Sequence, residues 1–254
     1  MTTVTATPSC LVRAPREGVP LRLFCFHHAG AGASTFRPWL APLAAAGVAV
    51  SALQLPGREN RFLEPAHSRL EPLIDALIPQ LAPHLHRPFS LFGHSMGALV
   101  AFEVARRLAG SPLLCHLVVS GCAAPPGLPD DYLVWAAGLD RPSLAAAAHR
   151  YEGLPRAIVD DADLQELLLP DLETDLRLVA GYRFTPAAAL PCAVTLANGR
   201  DDWHVRGTVL DGWNDVCRLT PERLWFDGGH FYLLENEDVT RALATIVALH
   251  MEVI

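Results

Sequence analysis

The sequence predicts an α/β architecture: a mostly parallel central sheet, helices on both faces, and a helical insertion between two of the strands. Three observations carry that expectation. Short apolar runs alternate with helical patterns along most of the chain, as strands joined by crossover helices do. Gly93-His94-Ser95-Met96-Gly97 stands between an apolar run and a helical pattern, where two glycines permit a sharp strand-to-helix turn. Asp130 to Phe184 has helical periods but no strand, and strand patterning resumes after it. The chain has 254 residues, 51% of them hydrophobic, enough for one large α/β domain or two small ones with a sizeable core; the return of strand patterning favours one domain over 1–254, with the helical stretch inserted as a lid or cap, over a separate small helical domain.

Residues 1–20 carry little pattern and read as a loose lead-in. Leu21 to Phe26 is apolar enough for a central strand and runs into the small-residue loop His27 to Ser34, where backbone can approach a ligand closely. That loop lacks the G-x-G-x-x-G spacing of a dinucleotide site, and no acidic residue follows the next strand, Val48 to Leu53. The better reading is a loop that supplies a backbone amide to an oxyanion hole. Phe36 to Ala46 reads as a short helix. Gln54 to Arg61 forms a polar loop at the ligand edge of the sheet. Leu70 to Leu85 reads as an amphipathic helix interrupted by Pro79 and Pro83.

Pro88 to Phe92 is a short buried strand, Ala98 to Leu108 a helix ending near Gly110, and His116 to Ser120 another strand. The insertion holds helical periods at Tyr132 to Gly138, Ser143 to Tyr151, Asp163 to Leu168 and Leu172 to Tyr182. The sheet resumes with Cys192 to Ala197, a helical stretch around Val209 to Val216, a strand Arg223 to Asp227, and a closing helix from Val239 to His250.

Composition narrows the function classes. The net charge of −7 and the absence of any basic stripe argue against nucleic acid. No apolar run reaches the length of a membrane span, and Met1 to Pro20 lacks the basic start and apolar block of a secretion signal, so the expected place is the cytoplasm. Cys10, Cys25, Cys115, Cys122, Cys192 and Cys217 form no C-x-x-C pair and no zinc-type spacing with histidine, so reduced thiols and no metal are expected. His27 and His28 lack partners at ligand spacing and read as structural.

Ser95 is the candidate nucleophile. A turn of this kind lifts Oγ out of the sheet and aims the first amides of the next helix at the same point. A serine hydroxyl needs a base beside it, itself oriented by a third group. The chain order Ser, acid, His is that of the α/β-hydrolases. His230, after a glycine pair that lets its loop return over the sheet edge, is the base candidate. His94, inside the turn, should point into the fold. Asp201 and Asp202 both follow a strand, and the Gly199-x-x-Asp202 spacing favours Asp202 as the acid. Asp227 reads as a strand-end residue.

Five blocks in order carry a wider likeness: Phe26-His27-His28-Ala29-Gly30-Ala31-Gly32, Leu55-Pro56-Gly57-Arg58, Phe92-Gly93-His94-Ser95-Met96-Gly97-Ala98, Leu169-Pro170-Asp171-Leu172, and Asp227-Gly228-Gly229-His230-Phe231-Tyr232-Leu233-Leu234. Together they resemble the type II thioesterases, the free-standing editing hydrolases of polyketide and nonribosomal peptide synthesis. The resemblance implies a serine hydrolase without cofactor. Its substrate would be an acyl thioester on the phosphopantetheine arm of an acyl or peptidyl carrier protein. It also implies that the amides of Met96 and of Ala29 or Gly30 form the oxyanion hole, and that 124–184 is a mobile lid.

Many relatives have Arg-Ala-Asp where this chain has Glu173-Thr174-Asp175, a departure that bears on substrate preference. The rival readings are a small-molecule carboxylester hydrolase and a non-catalytic docking protein with a decayed site. A cyclising domain that ends a longer synthase is expected less, since the chain starts at its own Met1. A monomer is expected. Carrier proteins are usually acidic, so docking would use a local arginine patch drawn from Arg37, Arg58 and Arg61, or apolar lid contacts.

Overall fold

Six strands, β1 (Leu21–Phe26), β2 (Val48–Ala52), β3 (Phe89–His94), β4 (Leu114–Ser120), β5 (Ala193–Gly199) and β6 (Glu222–Phe226), form one sheet in the order β2-β1-β3-β4-β5-β6. Every neighbouring pair is parallel. The structure is a computed structural model that describes residues 9–15, 18–19, 21–234 and 236–249. The helices are α1 (Leu40–Ala45), α2 (Leu70–Leu81), α3 (Met96–Arg107), α4 (Asp131–Ala137), α5 (Arg141–Arg150), α6 (Arg156–Val159), α7 (Ala162–Leu168), α8 (Pro170–Ala180) and α9 (Glu237–Leu249).

Side chains alternate across the sheet with the two-residue period of a strand, which splits the core in two. Phe24, Phe26, Leu91, Leu117 and Val119 join α2 and α3 on one face. Leu23, Cys25, Phe92 and Val118 join α1 and α9 on the other. Both faces of β1, β3 and β4 are covered, which is why these strands read as mostly apolar runs. The order places β2 outside β1 and the later strands beyond β3, so the connections diverge between β1 and β3. The crevice at that divergence, at the carboxyl ends of the strands, is where an open parallel sheet presents ligand sites.

Several expectations shift. Residues 1–8, 16, 17 and 20 of the supposed lead-in lie outside the described residues, but residues 9–12 are tied down. Cys10 is buried and accepts the Gln54 amide at 2.7 Å, while Leu11 bridges antiparallel to Leu53. Phe36 to Ala46 divides into a 3-10 segment, Ala33–Trp39, followed by α1, with Pro38 at the change. Pro79 does not break α2, because it and Asp75, whose carbonyl it leaves unpaired, both face water. The stretch around Val209 to Val216 is a 3-10 segment, Gly207–Asp215. Helix α6 was not anticipated; at four residues it is too short to show a period. The last predicted helical residue, His250, lies outside the described residues. Helices α4 to α8 all fall between β4 and β5, with no strand among them.

Candidate active site

Ser95 connects β3 directly to α3 with φ 54° and ψ −120°. A side chain at that backbone position is strained and is held by its surroundings. The two flanking glycines make the turn possible. A Cβ on Gly97 would run into the carbonyl oxygens of Phe26 and His27 at the end of β1, and one on Gly93 would strike the Gly97 carbonyl. The Ser95 amide is anchored by donating to the Ser120 carbonyl at 2.8 Å. Backbone packing thus holds the serine at the mouth of the crevice, above the start of α3.

His230 lies beyond β6 and is buried. Its Nδ1 donates to Asp202 Oδ2 at 2.6 Å, and Asp202 is fully buried after β5. The other carboxylate oxygen, Oδ1, accepts the His204 amide at 3.0 Å, so both oxygens are held. Asp201, the alternative acid, is exposed and makes no such contact with His230. Asp227 is also exposed and pairs with Arg200. With Nδ1 carrying a proton toward Asp202, Nε2 is left as the basic nitrogen, and Ser95 and His230 line the same cavity.

Four more histidines surround this pair or its loop, and all are held neutral. Burial, then the Arg58 charge, lowers His27 to about 3; its Nδ1 donates to the His28 carbonyl at 2.9 Å. Burial, then His27 and His230, lowers His28 to about 3. His94 is depressed well below the ordinary histidine value by burial, then by His230 and His28. His204 is lowered to about 4, chiefly by burial. His94 points into the fold as expected: its Nδ1 meets Ser120 Oγ at 2.9 Å, and that hydroxyl meets the Tyr232 hydroxyl at 2.7 Å. This buried chain ties β3, β4 and the His230 loop together; Ser120 carries no motif that would mark it in the sequence, and Tyr232 stands in the Asp227 to Leu234 block with nothing there to mark this contact.

The choice between Ala29 and Gly30 as oxyanion donor is narrowed by geometry. Gly30 is already engaged: its N–H donates to Asp175 Oδ2 at 2.8 Å. Among the described residues, the amides of Ala29 and Met96 meet no acceptor. Met96 is the first residue of α3, where a helix has spare donors and a positive dipole end.

A cavity of about 150 Å³ opens beside Ser95, walled largely by the inserted helices through Leu133, Leu144, Leu172 and Leu176. A second, of about 70 Å³, reaches from Ser95 along Met96, Leu99 and Val179. Tyr151 lines both, with its ring centroid 4.7 Å from that of His230. Among the described residues, no group of three or more His, Cys, Asp or Glu side chains is placed to hold a metal ion, and no helix is long and apolar enough to cross a membrane.

Two of the three arginines suggested for docking are not at the surface. Arg58 is 4% exposed and pairs with Asp175, while Arg61 is 3% exposed, donating to the Gln54 carbonyl at 2.8 Å and pairing with Glu64. Both serve the interior of the loop after β2, where burying a guanidinium requires such partners. Arg37 alone of the three is exposed.

Comparison with known proteins bears on the fold and the family. The family model for the thioesterase domain matches residues 21–249. The gramicidin S biosynthesis protein GrsT of Aneurinibacillus migulanus is 32% identical over 221 residues, spanning 85% of this chain and 84% of GrsT. The solved thioesterase RedJ, from the prodiginine biosynthetic pathway of Streptomyces coelicolor, superposes with a TM-score of 0.81 at 34% identity, covering 93% of this chain and 90% of RedJ. BorB, the type II thioesterase of the borrelidin biosynthetic cluster, also gives a TM-score of 0.81 at 34% identity, covering 94% of this chain and 95% of BorB. Neither the carboxylester hydrolase nor the decayed docking protein is favoured by these relatives. The fold is that of the α/β-hydrolases, and the chain belongs to the thioesterase family, among the type II thioesterases.

Proposed function

We propose that this thioesterase hydrolyses acyl groups from the phosphopantetheine arm of acyl or peptidyl carrier proteins, clearing stalled or aberrant units in polyketide or nonribosomal peptide synthesis. The observation that carries the chemistry is the buried His230–Asp202 hydrogen bond at 2.6 Å beside a serine on a strained turn, with both Ser95 and His230 lining one cavity. The pathway assignment is supported by relatives that serve gramicidin S, prodiginine and borrelidin biosynthesis.

In this reading Ser95 Oγ attacks the thioester carbonyl while His230 Nε2 takes its proton, and Asp202 steadies the imidazolium. The N–H groups of Met96 and Ala29 hold the oxyanion of the tetrahedral intermediate. Collapse breaks the C–S bond, and the proton on His230 passes to the departing thiolate. Water then attacks the acyl-enzyme with His230 as base, and a second collapse releases the carboxylic acid and restores Ser95. The apolar walls supplied by Leu133, Leu144, Leu172 and Leu176 suit an acyl chain.

Residues 124–184 act as the lid over this site, since the helices of that segment furnish those walls. The enzyme works in the cytoplasm as a monomer, a placement that its six free cysteines support. Ser95→Ala should lower hydrolysis of an acyl-carrier thioester by at least about 10³-fold. kcat/KM should be higher on the acylated carrier than on a free acyl thioester or a simple ester. Preference for the ester, or full activity of the alanine variant, would overturn the reading.

A further inference from the structure

Asp175 sits on α8, inside the inserted segment, and its side chain is 2% exposed. It is fully engaged. Arg58 Nη1 donates to its Oδ2 at 2.5 Å and Nη2 to its Oδ1 at 2.8 Å, a two-pronged pair between the loop after β2 and α8. Oδ2 also accepts the Gly30 amide at 2.8 Å. Arg58 Nη1 in turn donates to the Ala31 carbonyl at 3.1 Å. Two successive residues of the loop after β1 are therefore gripped by one ion pair, Gly30 through its N–H and Ala31 through its C=O. One helical turn earlier, Leu172 presses on the same loop, since a Cβ on Gly30 would lie 3.0 Å from Leu172 Cβ. Residues 172, 175 and 176 share one face of α8, as i, i+3 and i+4 spacing requires. That single face thus both grips the loop and, through Leu172 and Leu176, lines the cavity beside Ser95.

We infer that Asp175, held by Arg58, is a positioning residue for catalysis: it fixes the loop at Gly30 so that the adjacent Ala29 amide stays aimed at the carbonyl on Ser95. The role rests on the proposed acyl-enzyme chemistry with Ala29 as an oxyanion donor. Through it an acid on a helix of the insertion acts on a reaction centre that it does not touch. The inserted segment and the oxyanion loop share a buried charge pair, so α8 cannot move away from the sheet without releasing Gly30. A charge pair with both partners buried and hydrogen-bonded gives a defined geometry, whereas loss of one partner leaves the other uncompensated.

The test uses two variants of the full chain. Asp175→Ala removes the acceptor but leaves Arg58 buried and unpaired, so its folding can suffer. The double variant Arg58→Met/Asp175→Leu replaces the pair with apolar side chains that keep α8 against the loop and still offer Gly30 no acceptor. With the double variant folded, as judged by its thermal midpoint, kcat on an acyl thioester should fall by about 10²-fold, while KM stays within about threefold of wild type. Affinity for an alkylboronic acid, which forms a tetrahedral adduct on Ser95, should fall in step with kcat. Affinity for a non-hydrolysable acyl thioether should not change.

Wild-type kcat and boronate affinity in the double variant would overturn the positioning role alone. So would a parallel loss of thioether and boronate binding, which marks general disorder of the site. Absence of thioester hydrolysis by the wild-type enzyme would overturn the proposed function, and the positioning role with it.

Discussion

His230 Nδ1 and Asp202 Oδ2 lie 2.6 Å apart between the loops that follow β6 and β5, and Asp202 is sealed from solvent. The bond fixes which imidazole nitrogen is free to act as base. Asp202→Asn should therefore lower kcat by about 10⁴-fold, because an amide can present its NH2 to Nδ1 and select the wrong tautomer. Asp201→Asn should leave kcat near wild type, since Asp201 is exposed. Steady-state kinetics on one acyl thioester decides between the two, and the opposite ranking would displace Asp202 from its role.

Gly97 meets the Phe26 and His27 carbonyls so closely that no Cβ fits. Gly97→Ala must push α3 away from the end of β1, at a cost of about 1–3 kcal/mol, the range for overpacking a tight site. Urea unfolding measures that loss. A fluorophosphonate should also label Ser95 more slowly in the variant, because the serine and the Met96 amide move with the start of the helix.

Stability should fall in mild acid. Burial first, then Arg58 for His27 and the His27 and His230 imidazoles for His28, lowers both to about 3 in the folded protein, against an ordinary value of 6.5. His204 drops to about 4 and His94 is also strongly depressed. In each case the unfolded chain binds the proton more readily, so the stability is fully present above about pH 6.5 and is lost as pH falls toward the folded values. Unfolding between pH 6.5 and 4 should be accompanied by uptake of more than one proton. A denaturation midpoint that does not change across this window would contradict the neutral cluster.

Arg61 is 3% exposed and donates to the Gln54 carbonyl and the Glu64 carboxylate. Arg61→Met should lower stability by about 1–3 kcal/mol, as loss of hydrogen bonds to a charged group does, and leave KM for an acylated carrier unchanged. Arg37→Ala, at an exposed position, should leave stability unchanged. Calorimetry together with carrier titration separates interior support from docking.

Much of the architecture could be read without coordinates. The strands of a parallel sheet covered on both faces are mostly apolar, and the run Leu23 to Phe26 states that directly. The Gly93 and Gly97 spacing was equally legible, because a local steric demand leaves a local mark. Boundaries drifted where proline or a 3-10 segment took over, as at Ala33–Trp39, since short tight turns have no long period to detect.

Asp175, Gly30 and Arg58 show where local reading ended. Arg58 looked like a surface charge, and Gly30 stood beside Ala29 as an equal candidate for the oxyanion hole. Only folding brought Arg58 within reach of a carboxylate 117 positions away and gave the Gly30 amide to that same carboxylate. Likewise, the spacing after Gly199 favoured Asp202, but it was the meeting of two loops over the sheet edge that set Asp202 against His230 and left Asp201 in water. Backbone conformation and burial period are written in neighbouring residues and so are legible along the chain. The partner of a buried charge is chosen by proximity in three dimensions, and nothing in the spacing of Arg58 and Asp175 encodes it.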